Sequence, residues 1–245
     1  MYLCNSQFEK MINAKTVKQE LFSIAIPGKQ KILSSFFKTG KGEYGEGDLF
    51  IGVTVPQQRQ LVKTYKQIPL DEIEQLLQDE YHECRMTGFF FLIALFEKSK
   101  DEQERERFFR FYMDHLYAAN NWDLVDLTAP KIIGEYLLKR DRSCLYELVQ
   151  SADLWEQRVA VISTFRFIKA NDFDDTFRIS ELLLEHTHDL IQKAVGWMLR
   201  EIGKRDYDAE YRFLSDRYQR MPRTMLRYAI EKFDEKVRLE FLKRK

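Results

Sequence analysis

The stretch DLIQKAVGWMLREIGK, residues 189–204, decides the fold class. Its apolar residues Ile191, Val195, Met198, Leu199 and Ile202 recur every three or four positions and so line one face of an α-helix. Upstream, LWEQRVAVISTFRFIKA (154–170) repeats the pattern with Leu154, Val161, Thr164, Phe165 and Ile168. Its charged residues Glu156, Arg158 and Arg166 fall mostly off that face, so one helix is predicted here too. Between such segments lie short breaks, IPLD, KSKDE, KRDRS, KANDFDD, KRDYD and QRMP, most of which supply Asp, Asn or Ser where a helix N-cap belongs. No segment alternates like a strand, and Gly and Pro are scarce, at ten and five. The predicted class is all-α.

The helices also keep a period. Arg158 follows Gln157 at the opening of one apolar helix and Lys193 follows Gln192 in another. Arg227 sits similarly in RTMLRYAIEKF, so the spacings are 35 and 34 residues. Helix pairs repeating at about 35–45 residues point to a HEAT-like stack, each pair burying one face against the next. The helices carrying Arg158, Lys193 and Arg227 then lie side by side along one surface. A non-repeating bundle with a chance spacing is the alternative.

The chain has 245 residues, 44% hydrophobic, enough for one large domain or two small ones; a single repeat domain over 1–245 is expected. Lys and Arg total 39 and so do Asp and Glu, so no global attraction to nucleic acid follows. Local charge is uneven. Residues 191–245 hold 15 basic and 9 acidic side chains, whereas 68–106 hold 4 and 11, an arrangement that gives a neutral protein a polar field. Cys4, Cys84 and Cys144 are widely spaced and odd in number, as expected of reduced thiols in a cytosolic protein. The start, MYLCNSQFEKMINAK, has no apolar signal core, and the longest apolar run, FFFLIALF at 89–96, is too short to span a bilayer. A soluble, cytoplasmic protein with no membrane partner is expected. His82, His115, His186 and His188 have no Cys or acidic partners at metal-ligand spacing, so no metal site is read.

One motif is a decoy. GKGEYGEG (40–47) satisfies G-x-G-x-x-G through Gly40, Gly42 and Gly45. That fingerprint needs a strand before it and a helix directly after it. QKILSSFFK reads as a helix, and EGDLFIGVTVP reads as a loop running to Pro56. A surface loop is expected; nucleotide binding through these glycines is the lesser alternative.

The chemistry-bearing stretch is NNWDLVDLTAP, 120–130. With Asn120 or Asn121 as N-cap, a helix starts near Trp122, which puts Trp122 and Asp126 at i and i+4 on one face. An acid in a first turn suits the helix dipole, which accounts for Asp123. Asp126 sits deeper, beside an aromatic and between Val125 and Leu127, where that account is weaker. In QKAVGWMLRE, Gly196 costs the helix about 1 kcal/mol relative to Ala and can admit a close neighbour or ligand. Trp197 beside it can be core or site, and Arg158 and Arg200 can be solvated or salt-bridged.

NWDLVD, LWEQRVAVI and IQKAVGWMLREIGK, with FFKTGKGEYGEGDLFIGVTVPQQRQL near the start, resemble the AlkD-like DNA alkylation repair glycosylases over about residues 10–240, in the same order. W-D-x-V-D and Q-K-A-x-G-W-x-L-R-E carry most of the resemblance. It implies a HEAT-like superhelix whose basic concave surface holds duplex DNA, acting as a monomer without cofactor in base excision repair. The implied reaction is release of positively charged 3- and 7-alkylpurines. It further implies Asp126 as the catalytic carboxylate, Trp122 and Trp197 as the aromatic pair beside the lesion's deoxyribose, and Arg158 and Arg200 as phosphate contacts, with Arg59 a weaker one. Lys193 and Arg227, on successive helices, would join them in neutralising phosphates. The family's Tyr near the start is replaced, the nearest match being Phe36, so that contact lacks its hydroxyl.

The residue types suit such chemistry. A cationic purine leaves as a neutral base and needs no acid to protonate it. Positive charge then builds on the sugar, as in glycoside hydrolysis. A fixed carboxylate stabilises that charge and positions water, a contribution of ~3–4 kcal/mol by analogy with other electrostatic stabilisers. Aromatic faces add ~0.5–2 kcal/mol each towards a cation. A non-catalytic HEAT-repeat scaffold for nucleic acid or protein is the rival from another class.

Overall fold

The computed structural model describes residues 12–65 and 68–243. Cys4 lies outside them, as do the last two cations, Arg244 and Lys245. The described residues are helical, with one isolated bridge between Leu49 and Tyr81 and no strand. None of their helices is long and apolar enough to cross a membrane. The helices fall into two compact units divided after Lys100.

The first unit holds α1 (Ala14–Ser23), α2 (Lys29–Phe36), α3 (Val55–Thr64), α4 (Leu70–Leu77) and α5 (His82–Lys98). Caps start them where small polar residues stand. The Asn13 side chain accepts from the Thr16 N–H, and Thr54 and Gln57 form a capping box that spans Pro56. The FFFLIALF run is the heart of α5, where Phe89, Leu92 and Phe96 are fully buried.

The glycine loop lies between α2 and α3, preceded by helix rather than strand. The N–H groups of its three fingerprint glycines are already used, Gly40 donating to Glu43 at 2.9 Å, Gly42 to Glu46 at 2.7 Å and Gly45 to the Lys38 carbonyl at 3.0 Å. The chain that follows is pinned to α5 by the buried Glu83 carboxylate, which accepts from the N–H groups of Ile51, Gly52 and Val53 at 2.8–3.1 Å. Asp48 adds contacts with His82 Nδ1 at 2.7 Å and with Arg85. Carboxylates and a carbonyl thus occupy the amides that a phosphate would need.

The second unit begins with α6 (Glu102–Asp114) and α7 (Trp122–Ala129). A π-helical turn at Pro130–Gly134 and the short α8 (Glu135–Leu137) come next, with Pro130 lacking the N–H that regular helix needs. Then follow α9 (Ser143–Gln150), α10 (Leu154–Ser163), α11 (Phe165–Lys169), α12 (Asp174–Leu182), α13 (Asp189–Gly203), α14 (Tyr207–Ser215), α15 (Arg223–Ala229) and α16 (Glu235–Leu242). Asp101, Asp153 and Asp206 cap α6, α10 and α14 through their side chains.

The repeat shows in who touches whom. Helices α7, α10, α13 and α15 pack in succession, while α9 and α12 form a second row that joins α10 and α13. The fold is all-α and helical-repeat, and the helices carrying Arg158, Lys193 and Arg227 are consecutive neighbours. The stretch 154–170 departs from expectation by breaking at Thr164, whose N–H bonds back to Val161. The cause is tertiary. A Cβ on Gly134 would stand 2.4 Å from the Ser163 carbonyl oxygen, so the π-turn packs against the break. Helix α10 is also more than amphipathic: Arg158 to Ser163 are all buried, because α7, α9 and α13 pack on it. In α13 the predicted face is the buried one, and Ile191, Val195, Met198, Leu199 and Ile202 are at most 1% exposed.

Candidate active site

Asn121 caps α7, its side chain accepting from the Trp122 N–H at 2.9 Å. That start fixes the helix register, which places Asp126 one turn beyond Trp122 and on the side where α10 packs. There it meets Arg158. The guanidinium Nε donates to Asp126 Oδ1 at 2.9 Å and Nη2 to Oδ2 at 2.8 Å, a two-pronged pair. The third arm, Nη1, donates to the Leu190 carbonyl at 2.5 Å. Leu190 stands at the start of α13, so one arginine ties α7, α10 and α13 together.

The pair is nearly dry, with the Arg158 side chain 5% exposed and that of Asp126 12%. Burial pushes the Asp126 carboxyl above its ordinary range, Arg158 opposes this through charge and hydrogen bonds, and the nearby Asp123 adds to it. Both oxygens accept a donor from a guanidinium that does not lose its proton, which favours the charged form of the group. Its exposed margin is the part a substrate can reach. Asp123 is buried as well, and its Oδ1 accepts from the Leu124 N–H at 2.9 Å.

Trp122 and Trp197 are both half-buried. Trp197 Nε1 donates to Glu201 Oε1 at 3.0 Å, and its ring lies 5.9 Å from that of Phe165 at the start of α11. Glu201 also pairs with Lys204 at 2.6 Å. Gly196 serves packing rather than a ligand: a Cβ there would come 2.4 Å from the Met225 carbonyl oxygen and 2.6 Å from the Tyr228 Cβ on α15.

The cations read as phosphate contacts have divergent surroundings. Arg158 is turned inward, onto Asp126. Arg200 is mostly buried and paired with Glu231. Lys193 pairs with Asp189 one turn back at 2.6 Å. Arg227 is exposed on α15. In the first unit, Arg59 is exposed with its guanidinium 5.1 Å from the centre of the Phe90 ring. Phe36 is 60% exposed and packs edge-on to Phe37 at 5.0 Å.

Sequence reasoning passed over Glu201, although its i+4 spacing from Trp197 was a usable signal. It also passed over Glu231 and the Leu190 carbonyl, for which no local signal exists. His186 and His188 prove to be caps: the His188 N–H donates to His186 Nδ1 at 3.1 Å and the Leu190 N–H to His188 Nδ1 at 3.2 Å. Among the described residues no group of three His, Cys, Asp or Glu side chains is placed to hold a metal ion. Cys84 and Cys144 are free, and burial pushes both thiols up.

The model of the DNA alkylation repair enzyme family matches residues 17–233. A search of curated proteins finds no match. Among solved structures the chain is similar to a predicted DNA alkylation repair enzyme from Enterococcus faecalis, with a TM-score of 0.66 and 18% identity over 86% of this chain and 97% of that one. At that identity the likeness speaks for the fold.

Proposed function

The chain belongs to the family of DNA alkylation repair enzymes, and from that membership we propose that it is a DNA glycosylase for N3- and N7-alkylated, positively charged purines in duplex DNA. The observation that carries the reading is the Asp126–Arg158 pair, a carboxylate held by two donors at 2.8–2.9 Å at the edge of a dry helix junction, one turn from Trp122. In this reading the C1′–N9 bond breaks with its electron pair moving onto the base, which neutralises the alkylpurine cation. Positive charge appears on the deoxyribose. Arg158 has already oriented both carboxylate oxygens, so no reorganisation is needed as that charge develops. The remaining lone pairs of Asp126 face the sugar and hold the attacking water. Water adds to C1′ and its proton passes to the carboxylate, whose raised proton affinity suits that role. Trp122 and Trp197 supply aromatic faces to the cationic lesion and sugar. No cofactor enters the scheme.

DNA is held by the basic C-terminal part of the chain, including Arg227, so affinity falls as salt rises. The test is release of 7-methylguanine from methylated duplex DNA, with Asp126→Asn as comparison. Release above the spontaneous amount by wild type, and loss of it in the variant, is expected. If both give only spontaneous release while DNA still binds, the protein is a non-catalytic helical scaffold.

A further inference from the structure

Beyond the Asp126 region, α15, the 3-10 turn Ile230–Lys232 and α16 form a half-open cavity of about 320 Å³. Arg223, Arg227, Arg238, Glu231, Ile230 and Leu242 line it. Three guanidinium groups around one cavity repel one another unless carboxylates stand between them. Here they do not. The single carboxylate, Glu231, already serves Arg200 and Lys232, the latter at 3.0 Å. Arg223 donates to the Leu242 carbonyl at 2.8 Å, which fixes its position and leaves its charge unbalanced. The side chains of Arg227 and Arg238 make no hydrogen bond or ion pair among the described residues. The cavity is therefore an electropositive site in want of an anion.

Size and lining narrow the choice. Guanidinium forks match phosphate oxygens two at a time. A lone phosphate fills only a small part of this volume, and the apolar wall supplied by Leu242 offers it nothing. Ligand cavities of roughly 300–1,000 Å³ with apolar walls and a few convergent charges suit a molecule that has both parts. A nucleotide has both: an anionic phosphate, and a flat base that packs on aliphatic side chains and guanidinium planes.

We propose that this cavity binds one nucleoside monophosphate unit, its phosphate held by Arg227 and Arg238 and its base against Leu242. Two sources share that chemistry, a free mononucleotide and the phosphorylated end of a DNA strand. Binding is read without any lesion or base release, so failure here leaves the glycosylase reading untouched.

The test is calorimetric titration of the full chain with dAMP, deoxyadenosine, inorganic phosphate, and a tetranucleotide with or without a 5′-phosphate. dAMP is expected to bind at least tenfold more tightly than phosphate or deoxyadenosine. The double variant Arg227→Ala, Arg238→Ala should lose at least tenfold for dAMP with no fall in melting temperature, since neither side chain has a partner among the described residues to lose. Arg238→Lys should fall between. Tighter binding of the 5′-phosphorylated tetranucleotide than of its hydroxyl-ended form assigns the site to strand ends; equal binding of the two, with dAMP still preferred, assigns it to free nucleotide. Equal affinity for dAMP and deoxyadenosine, or for dAMP and phosphate, overturns the proposal. So does wild-type affinity for dAMP in the double variant.

Discussion

Replacing Asp126 by Asn perturbs chemistry and folding together, and the two must be separated. The pair is buried, at 5% and 12% side-chain exposure, so its loss belongs with buried ion pairs rather than with surface ones worth ~0–1 kcal/mol. Asn keeps one acceptor but turns an amide donor towards a guanidinium N–H. Arg158 is left with its charge uncompensated, at a cost of about 3–5 kcal/mol. Arg158→Met strands the carboxylate instead and also deprives the Leu190 carbonyl of its donor, which adds ~1–3 kcal/mol. The double variant has no charge left to strand. Urea denaturation of the four proteins should therefore give a double variant more stable than the sum of the single losses by about 2–3 kcal/mol. Base release should not follow stability. If Asp126 acts on the sugar, release from methylated duplex falls by about 10²–10³-fold in Asp126→Asn and stays lost in the double variant, although much of its stability returns. Two results would refute this reasoning: single losses that add to within about 0.5 kcal/mol, which would mean an uncoupled pair, or base release recovering with stability in the double variant.

Gly196→Ala should destabilise by about 1–3 kcal/mol, because its methyl meets the Met225 carbonyl and Tyr228 Cβ, and the drop is read from urea melts. If Gly196 instead admits a ligand, stability holds and DNA affinity changes. Glu210 gives a pH test. It is 2% exposed with Oε1 unpartnered, and burial pushes its carboxyl up to about 9, against the pull of Arg200. A folded value above the unfolded one means the native state holds the extra proton, so this contribution is complete below about pH 4.5 and is lost as pH rises towards 9. Glu210→Gln should therefore gain on wild type by up to about 1 kcal/mol per pH unit between pH 5 and 8. A constant difference across that range would show Glu210 to be ionised throughout. Glu201→Gln weakens the carboxylate's hold on the Trp197 indole and should shift its fluorescence while lowering base release only a few-fold; an unchanged spectrum would count against Glu201 as the residue that orients the ring.

Much of the fold was legible because periodicity is local. The face read from Ile191 to Ile202 is the buried one, and the helix start at Trp122 follows from a small polar cap. The break at Thr164 was not legible. It depends on Gly134, distant in sequence, whose missing Cβ lets the π-turn press against the Ser163 carbonyl. Nor could a face-based reading show that α10 is buried along most of its length, since that depends on how many helices surround it. Trp122 and Asp126 were legible as neighbours through i and i+4. The partner of Asp126 was not, because a charge's partner is set by packing.

The repeat nevertheless held that information in another form. Arg158 reaches Asp126 and Leu190 across 32 residues each, and Arg200 reaches Glu231 across 31. Arg142 meets Asp175 across 33, Arg205 meets Asn171 across 34, and Arg220 meets Glu185 across 35. These separations cluster near the 34- and 35-residue spacing that marks the repeat itself. In a stack where each helix pair touches only its neighbours, a side chain pointing along the stack can meet only a residue about one period away. Basic side chains repeated at the period were read as a row facing phosphate. The same periodicity fits cross-links between repeats equally well, and burial decides between the two. Arg158 and Arg200 are drawn inward by carboxylates one repeat away, whereas Arg227, on the same ladder, is exposed and has none among the described residues. A chain with equal numbers of acids and bases can thus bind an anion where the ladder runs out of partners. That condition is met by the arginine cavity of α15 and α16.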